Sequence, residues 1–309
     1  SKIILPVMAY YGTSRMWKDN KLFELRKDIS LERGSGYVDC MEPSSSYNTF
    51  GQWFKYAAMS AMEFDRYLAE SGKKDEKNPY TEVLKAVRQA IITCIGSMGW
   101  TDIDYSFAFQ NLIIMHETMG VLPLEALSDG TRSVISMADL AYRMVRLNPD
   151  LGAMAALETP GIVLIDEVDM HLHPSWQQAV VYDVRKAFPN VQFIVTTHSP
   201  QVLSTVPAEA IRILRWDNNL INIDKPAFSL GAESFQLLKD IQNVDTRPQA
   251  LPIVKDLYRY LMLVSEDKWD TDEARELRKR LDEWSKGCEP ALVRADTEIR
   301  MKSFRRKKK

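Results

Sequence analysis

Long apolar runs are absent from this 309-residue chain: no stretch of eighteen or more residues is apolar throughout, so no membrane-spanning helix is expected. No signal-peptide pattern occurs either. Cysteine is scarce. Cys40, Cys94 and Cys288 are odd in number and widely spaced, which fits neither a disulfide framework nor a zinc site and predicts a reducing, cytoplasmic setting. An excess of one charge sign is lacking too. The 40 Lys and Arg against 42 Asp and Glu leave a net charge of −2, with no global attraction to polyanions or membranes. With 45% hydrophobic and 27% charged residues, the length suffices for one large domain or two smaller ones.

The most informative stretch present is Gly161-Ile-Val-Leu-Ile-Asp-Glu-Val-Asp-Met-His-Leu-His-Pro174. Its apolar residues, Ile162 to Ile165, fit a fully buried parallel strand, and the carboxylates of Asp166 and Glu167 stand at its C-terminal end. Open α/β sheets bind ligands at that end. There one carboxylate can hold Mg²⁺ and its neighbour can orient an attacking water. Taken alone, the run reads equally as a buried strand leaving the core through a charged turn.

Two flanking motifs sharpen the reading. Upstream, Leu127-Ser128-Asp129-Gly130-Thr131 precedes an amphipathic stretch from Arg132 to Leu147, with Val134, Met137, Ala138, Ala141, Met144 and Val145 at helical spacing. Ser128 suits the N-cap region, and a Ser-x-Gly turn at a helix start offers N–H groups, a hydroxyl and a positive dipole end to an anion. Downstream, Val191-Gln-Phe-Ile-Val-Thr-Thr-His-Ser-Pro200 is a second β-rich run, ending in a turn where His198 can donate to a phosphate oxygen.

In this order the trio resembles the ATP-binding-cassette ATPases of the RecF/SMC/Rad50-like branch, tightly over residues 120–206. The resemblance implies an α/β fold, the P-loop NTPase mixed sheet flanked by helices, and a site for ATP and Mg²⁺. It assigns Leu127, Ser128, Asp129 and Gly130 to a signature motif reaching the γ-phosphate held by a second subunit. Val163 to Asp166 becomes a Walker B strand with Asp166 on the metal side. Glu167 becomes the water-orienting base, and His198 the switch histidine. Leu172-His173 stands where the family carries Leu-Asp, so His173 departs from the pattern. The wording Asp-Glu-Val-Asp-Met-His-Leu-His-Pro is typical of AAA-type ATPases of bacterial defence and repair loci.

No Gly-x-x-x-x-Gly-Lys-Ser/Thr occurs, and Gly34-Ser-Gly-Tyr37 has neither its length nor its lysine. The chain opens at Ser1 and runs at once into an apolar segment, Lys2 to Tyr11, that reads as a strand. The expectation is the C-terminal part of a longer polypeptide whose first lobe carries the P-loop. The competing reading is a degenerate ATPase.

Four regions are expected: residues 1–15 as the end of the N-terminal ATPase lobe; 16–100 as a helical insert or lid; 101–206 as the ATPase lobe; 207–309 as a strand pair plus a helical C-terminal domain with a basic tail. The insert holds a loop, Gly34 to Ser46, and helices near Tyr47–Glu70 and Pro79–Ile95. Tyr105–Phe109, Leu112–His116 and Val121–Leu124 read as a meander, and Pro174–Phe188 as a linking helix. Ser229 to Ile241, then Arg247-Pro248, resemble the C-terminal region of PtuA-type ATPases from Septu and retron-linked phage defence. Leu277, Leu281 and Trp284 mark one face of a charged helix, suited to a neighbouring subunit or to an ordinary surface helix. For Arg305-Arg-Lys-Lys-Lys309 a phosphate-binding run and a solvated terminus both stand.

No Toprim pattern and no His-Asn-His metal cluster is evident, so any nuclease activity is expected in a partner. The resemblance thus implies a slow, regulatory ATPase that forms a homodimer or higher homo-oligomer through an ATP sandwich and controls an HNH-type nuclease subunit. A retron reverse transcriptase with its DNA or RNA is a further implied partner, and direct DNA binding stays open. The alternatives are a Rad50-like DNA-repair ATPase and a non-hydrolysing scaffold of the same fold.

Overall fold

The computed structural model describes residues 3–13, 32–42, 47–73 and 75–307. It divides into two units, Ser1–Leu237 and Leu238–Lys309. The boundary expected at residue 206 therefore falls inside the first unit.

Among the described residues the strands are β1 (Val7–Tyr11), β2 (Trp100–Ser106), β3 (Asn111–His116), β4 (Gly120–Pro123), β5 (Gly161–Ile165), β6 (Val191–Val195), β7 (Ile213–Asp217) and β8 (Leu220–Asp224). They form three sheets: a parallel β1-β5-β6, an antiparallel β2-β3-β4 and the hairpin β7-β8. Parallel and antiparallel pairing thus fall in separate sheets, within an α/β chain whose parallel strands are packed by helices. Strand β5 is central, and Tyr11, Ile165 and Val195 stand level at the C-terminal ends of the three strands.

One face of the parallel sheet is closed by helices. Val7, Ala9, Tyr11, Val163 and Ile165 join the main core, while Met8, Ile162 and Ile194 on the alternate positions stay about half exposed. The expectation of a strand buried on both faces therefore holds for one face, because the alternating side chains meet a helical layer on that side alone among the described residues.

Helices α1 (Tyr47–Ser71) and α2 (Pro79–Ile95) lie close to the expected ranges. Pro79 presets the first helical φ of α2, and Asn78 caps it by accepting from the N–H groups of Tyr80 and Thr81 at 3.0 and 3.3 Å. Expected as a lid, both share the core of the sheet: Trp53, Phe54 and Ala57 of α1, and Val87, Ile91 and Ile95 of α2, pack in the cluster that holds Val163. The Phe, Val and Ile side chains among them each contribute ~1.5–3 kcal/mol by leaving water.

The amphipathic stretch after Ser128 forms two helices, α3 (Asp129–Ser136) and α4 (Ala138–Leu147), broken at Met137. The linking helix is likewise two pieces, Pro174–Gln177 and Val180–Ala187. The meander starts earlier than the alternation suggested: Trp100 opens β2, and residues 107–110 form the turn, with Gln110 at φ +51°. Expected features at residues 1–2, 14–31, 43–46, 74 and 308–309 lie outside the described residues.

The second unit packs the helices Pro252–Ser265, Asp272–Ser285 and Pro290–Lys307 around Leu257, Tyr260, Leu263, Leu277, Leu281 and Leu292. Leu277 and Leu281 face their own unit's core, so that stripe is not a neighbour's docking face. Trp284 remains 43% exposed.

Candidate functional site

At the C-terminal ends of the parallel strands the ladder continues past β5. Asp166 donates its N–H to the Tyr11 carbonyl at 2.8 Å, and Thr196 donates its own to the Ile165 carbonyl at 3.0 Å. The chain then turns sharply. Glu167 takes a left-handed φ of +46° and His171 one of +61°. Such a backbone costs ~1–3 kcal/mol for a residue with a Cβ and persists only where its surroundings fix it.

The end of β6 does the fixing. The Thr196 hydroxyl donates to Asp166 Oδ1 at 2.5 Å and accepts the Glu167 N–H at 2.8 Å, while the Thr196 carbonyl accepts from Val168 N–H at 3.0 Å. The Thr197 hydroxyl donates to the Asp169 carboxylate and accepts the Ser199 N–H at 3.0 Å. Ser199 Oγ donates to Gln177 Oε1 at 2.7 Å, and Gln177 returns its amide to the Leu172 carbonyl at 2.9 Å. His198 is exposed between these two anchors. Asp166 and Glu167 are half-buried.

Ser128 accepts the Thr131 N–H at 3.4 Å and so caps α3, as its position predicted. Ser128 and Asp129 are exposed, whereas Leu127 and Gly130 are buried. Glycine is required at 130 by close approach: a Cβ there would stand 2.3 Å from the His171 carbonyl oxygen and 3.4 Å from Leu172 Cα. The Ser-Asp-Gly turn thus lies directly against the loop that follows Asp166 and Glu167. His173, the departure from the family wording, caps the next helix, its Nδ1 accepting the Ser175 N–H at 3.3 Å.

Behind the strand ends sits a buried polar cluster. The Tyr11 hydroxyl donates to Asp139 at 3.5 Å, and Arg143 binds Asp139 at 2.5 Å and the carbonyls of Gly36 and Val38 at 3.0 and 2.8 Å. Burial and then the Asp139 charge push the Tyr11 hydroxyl well above its ordinary range. Burial alone would lower Arg143, but the Asp139 carboxylate together with Tyr11 outweighs it and moves it up. This cluster ties α4 to the strand whose last carbonyl receives Asp166.

Asp166, Glu167 and His198 stand out in the sequence as site candidates, whereas Thr196, Thr197, Asp169 and Gln177 do not. Their only signal was the polar Thr-Thr-His-Ser run closing a β-rich segment. Among the described residues no three His, Cys, Asp or Glu side chains gather as a ready metal cage.

Comparison with known proteins shows what the chain is similar to. Residues 73–204 match the family model described as AAA domain, putative AbiEii toxin, Type IV TA system. Over that segment the chain is thus similar to an AAA-family domain. Its relatives include the retron Ec83 probable ATPase of Escherichia coli, 34% identical over 73% of this chain and 41% of that protein. The retron Vc95 probable ATPase of Vibrio cholerae serotype O1 biovar El Tor is 27% identical over 89% and 60%. The Septu protein PtuA of Bacillus thuringiensis is 25% identical over 84% and 64%. The chain thus spans between 41% and 64% of the length of these relatives.

Proposed function

We propose that this chain supplies the acidic-strand and histidine part of an ATP-hydrolysing site in an antiphage defence ATPase. The observation that carries the reading is the clamp of Thr196 on Asp166 and Glu167, at the C-terminal end of the central parallel strand and two residues before His198. Catalysis of phosphoryl transfer rests on positioning and charge placement, and this strand end supplies both.

Glu167 orients and deprotonates the attacking water. His198 donates a hydrogen bond to the γ-phosphate. Ser128 and Gly130, with Leu127 and Asp129, present the start of α3 to the nucleotide of a second subunit, so that ATP joins a homodimer or higher homo-oligomer. The phosphate-cradling loop is taken to lie outside these residues, as the greater length of the relatives allows.

The donor set fits Mg²⁺. A half-buried carboxylate beside a threonine hydroxyl offers hard oxygen ligands of the kind Mg²⁺ takes together with water and phosphate. Asp166 would hold it, and when bound it would neutralise charge on the transferred phosphoryl group.

The names of the relatives, retron ATPases and Septu PtuA, support a role in phage defence with partner proteins. Switching of an HNH-type nuclease subunit is the proposed output. A retron reverse transcriptase and its nucleic acid are proposed as further members of the assembly.

The test is Glu167→Gln in the complete gene product. Hydrolysis should fall ~10²–10⁴-fold while ATP stays bound and holds the oligomer together. Wild-type turnover in that variant would overturn the assignment.

A further inference from the structure

We propose that Thr196 is a positioning residue of this site: one hydroxyl sets both the direction of the Asp166 carboxylate and the backbone of Glu167. The proposal rests on the reading of Asp166 and Glu167 given above. A threonine hydroxyl has one proton and two lone pairs. Here the proton goes to Asp166 Oδ1 at 2.5 Å, and a lone pair takes the Glu167 N–H at 2.8 Å. A single oxygen atom thus serves two consecutive residues in opposite senses, which neither a valine nor an alanine can do.

The second demand is conformational. Glu167 is left-handed at φ +46°, a state that a side chain with a Cβ leaves unless its peptide is held. Its N–H is held by the Thr196 hydroxyl, and the next N–H, of Val168, by the Thr196 carbonyl at 3.0 Å. Rotation of the Glu167 peptide would break the first bond and redirect the side chain that follows it. Thr197 repeats the device one step on, donating to Asp169 and accepting Ser199 N–H, so the strand end that leads to His198 grips the acidic turn at successive residues. In general, groups that orient a metal-binding carboxylate change metal affinity or activity 10–100-fold when removed, by roughly those factors.

Three variants of the complete gene product test this: Thr196→Val, which keeps the shape and loses the hydroxyl, Thr196→Ser, which restores it, and Glu167→Gln. Two readouts are taken, amide hydrogen exchange at Glu167 and Val168 without nucleotide, and kcat with the Mg²⁺ concentration at half-maximal ATP hydrolysis. Thr196→Val is expected to speed exchange at Glu167 about tenfold, as loss of one hydrogen bond implies. It should lower kcat ~10–100-fold and raise the Mg²⁺ requirement. Thr196→Ser is expected to recover both. Equal impairment in the Ser and Val variants would mean that methyl packing, not the hydroxyl, matters, and would overturn the proposal. Impaired Glu167→Gln beside an unaffected Thr196→Val would overturn this proposal alone. Wild-type turnover by Glu167→Gln would bring down the functional reading and this proposal with it.

Discussion

The two units are held together by different chemistry. In the first, a polar cluster behind the candidate site is buried and mutually hydrogen-bonded: Asp139 and Arg143 are 2% and 3% exposed, and Tyr11 and two loop carbonyls complete it. In the second, an aliphatic core of Leu257, Leu277 and Leu281 is ringed by ion pairs open to water, such as Arg259 with Glu273 and Arg278 with Asp296. A buried pair fixes one arrangement and tolerates no loss of a partner, whereas exposed pairs contribute little each. The unit that carries the candidate site is the one with this buried polar constraint.

The largest effect that can break this contrast is Asp139→Ala. Removing one partner of the buried pair leaves Arg143 uncompensated and should cost the first unit roughly 3–5 kcal/mol, with the second unit unaffected. Thermal unfolding followed by amide exchange in each unit reads this directly. A loss below ~1 kcal/mol would show that the cluster is solvated and the contrast unreal.

Arg278→Ala probes the other side. Its side chain is 27% exposed and bonds Asp296 and Asp282, so its removal should cost the second unit only ~1 kcal/mol. A loss comparable to that of Asp139→Ala would erase the difference between the units.

Acidity should separate the units with the smallest effect and opposite signs. A hydrogen bond from Arg247 holds Glu289, and one from Arg278 holds Asp296, below the usual carboxylate range. Groups depressed in this way stabilise the fold above their unfolded pKa values, and that stability is lost as pH falls through the folded values, below about pH 4. Asp183 is the reverse case, raised by burial in the first unit. Its contribution is greatest below its unfolded pKa and is lost as pH rises through the raised folded value. Unfolding scans between neutral pH and pH ~4 should therefore ease the first unit slightly, and further acidification should weaken the second; Asp183→Asn should flatten only the former.

Much of this arrangement was legible in the sequence. The apolar run before Asp166, the spacing of Trp53, Phe54 and Ala57, and the Asn78-Pro79 start of α2 are local signals that tertiary structure obeyed. The break at Met137 was not, since no glycine or proline announces it. Asp139 and Arg143, four residues apart, look like a surface pair, and only the segment around Gly36 laid over α4 buries them. Thr196 and Thr197 were hidden for another reason. A β-branched residue ending a strand is fully explained by propensity, so its hydroxyl attracts no notice until the carboxylates opposite are in view. The face of the parallel sheet left half exposed among the described residues was also unreadable, because an uninterrupted apolar run does not say how many of its sides are covered.

At Gly130 the absence of a side chain lets two backbones touch, and contact at that distance leaves nothing compressible between them. A shift of the turn towards the strip from His171 to Leu172 must push that strip along, and the reverse. Any closer approach of the two segments is blocked, like gear teeth cut without clearance.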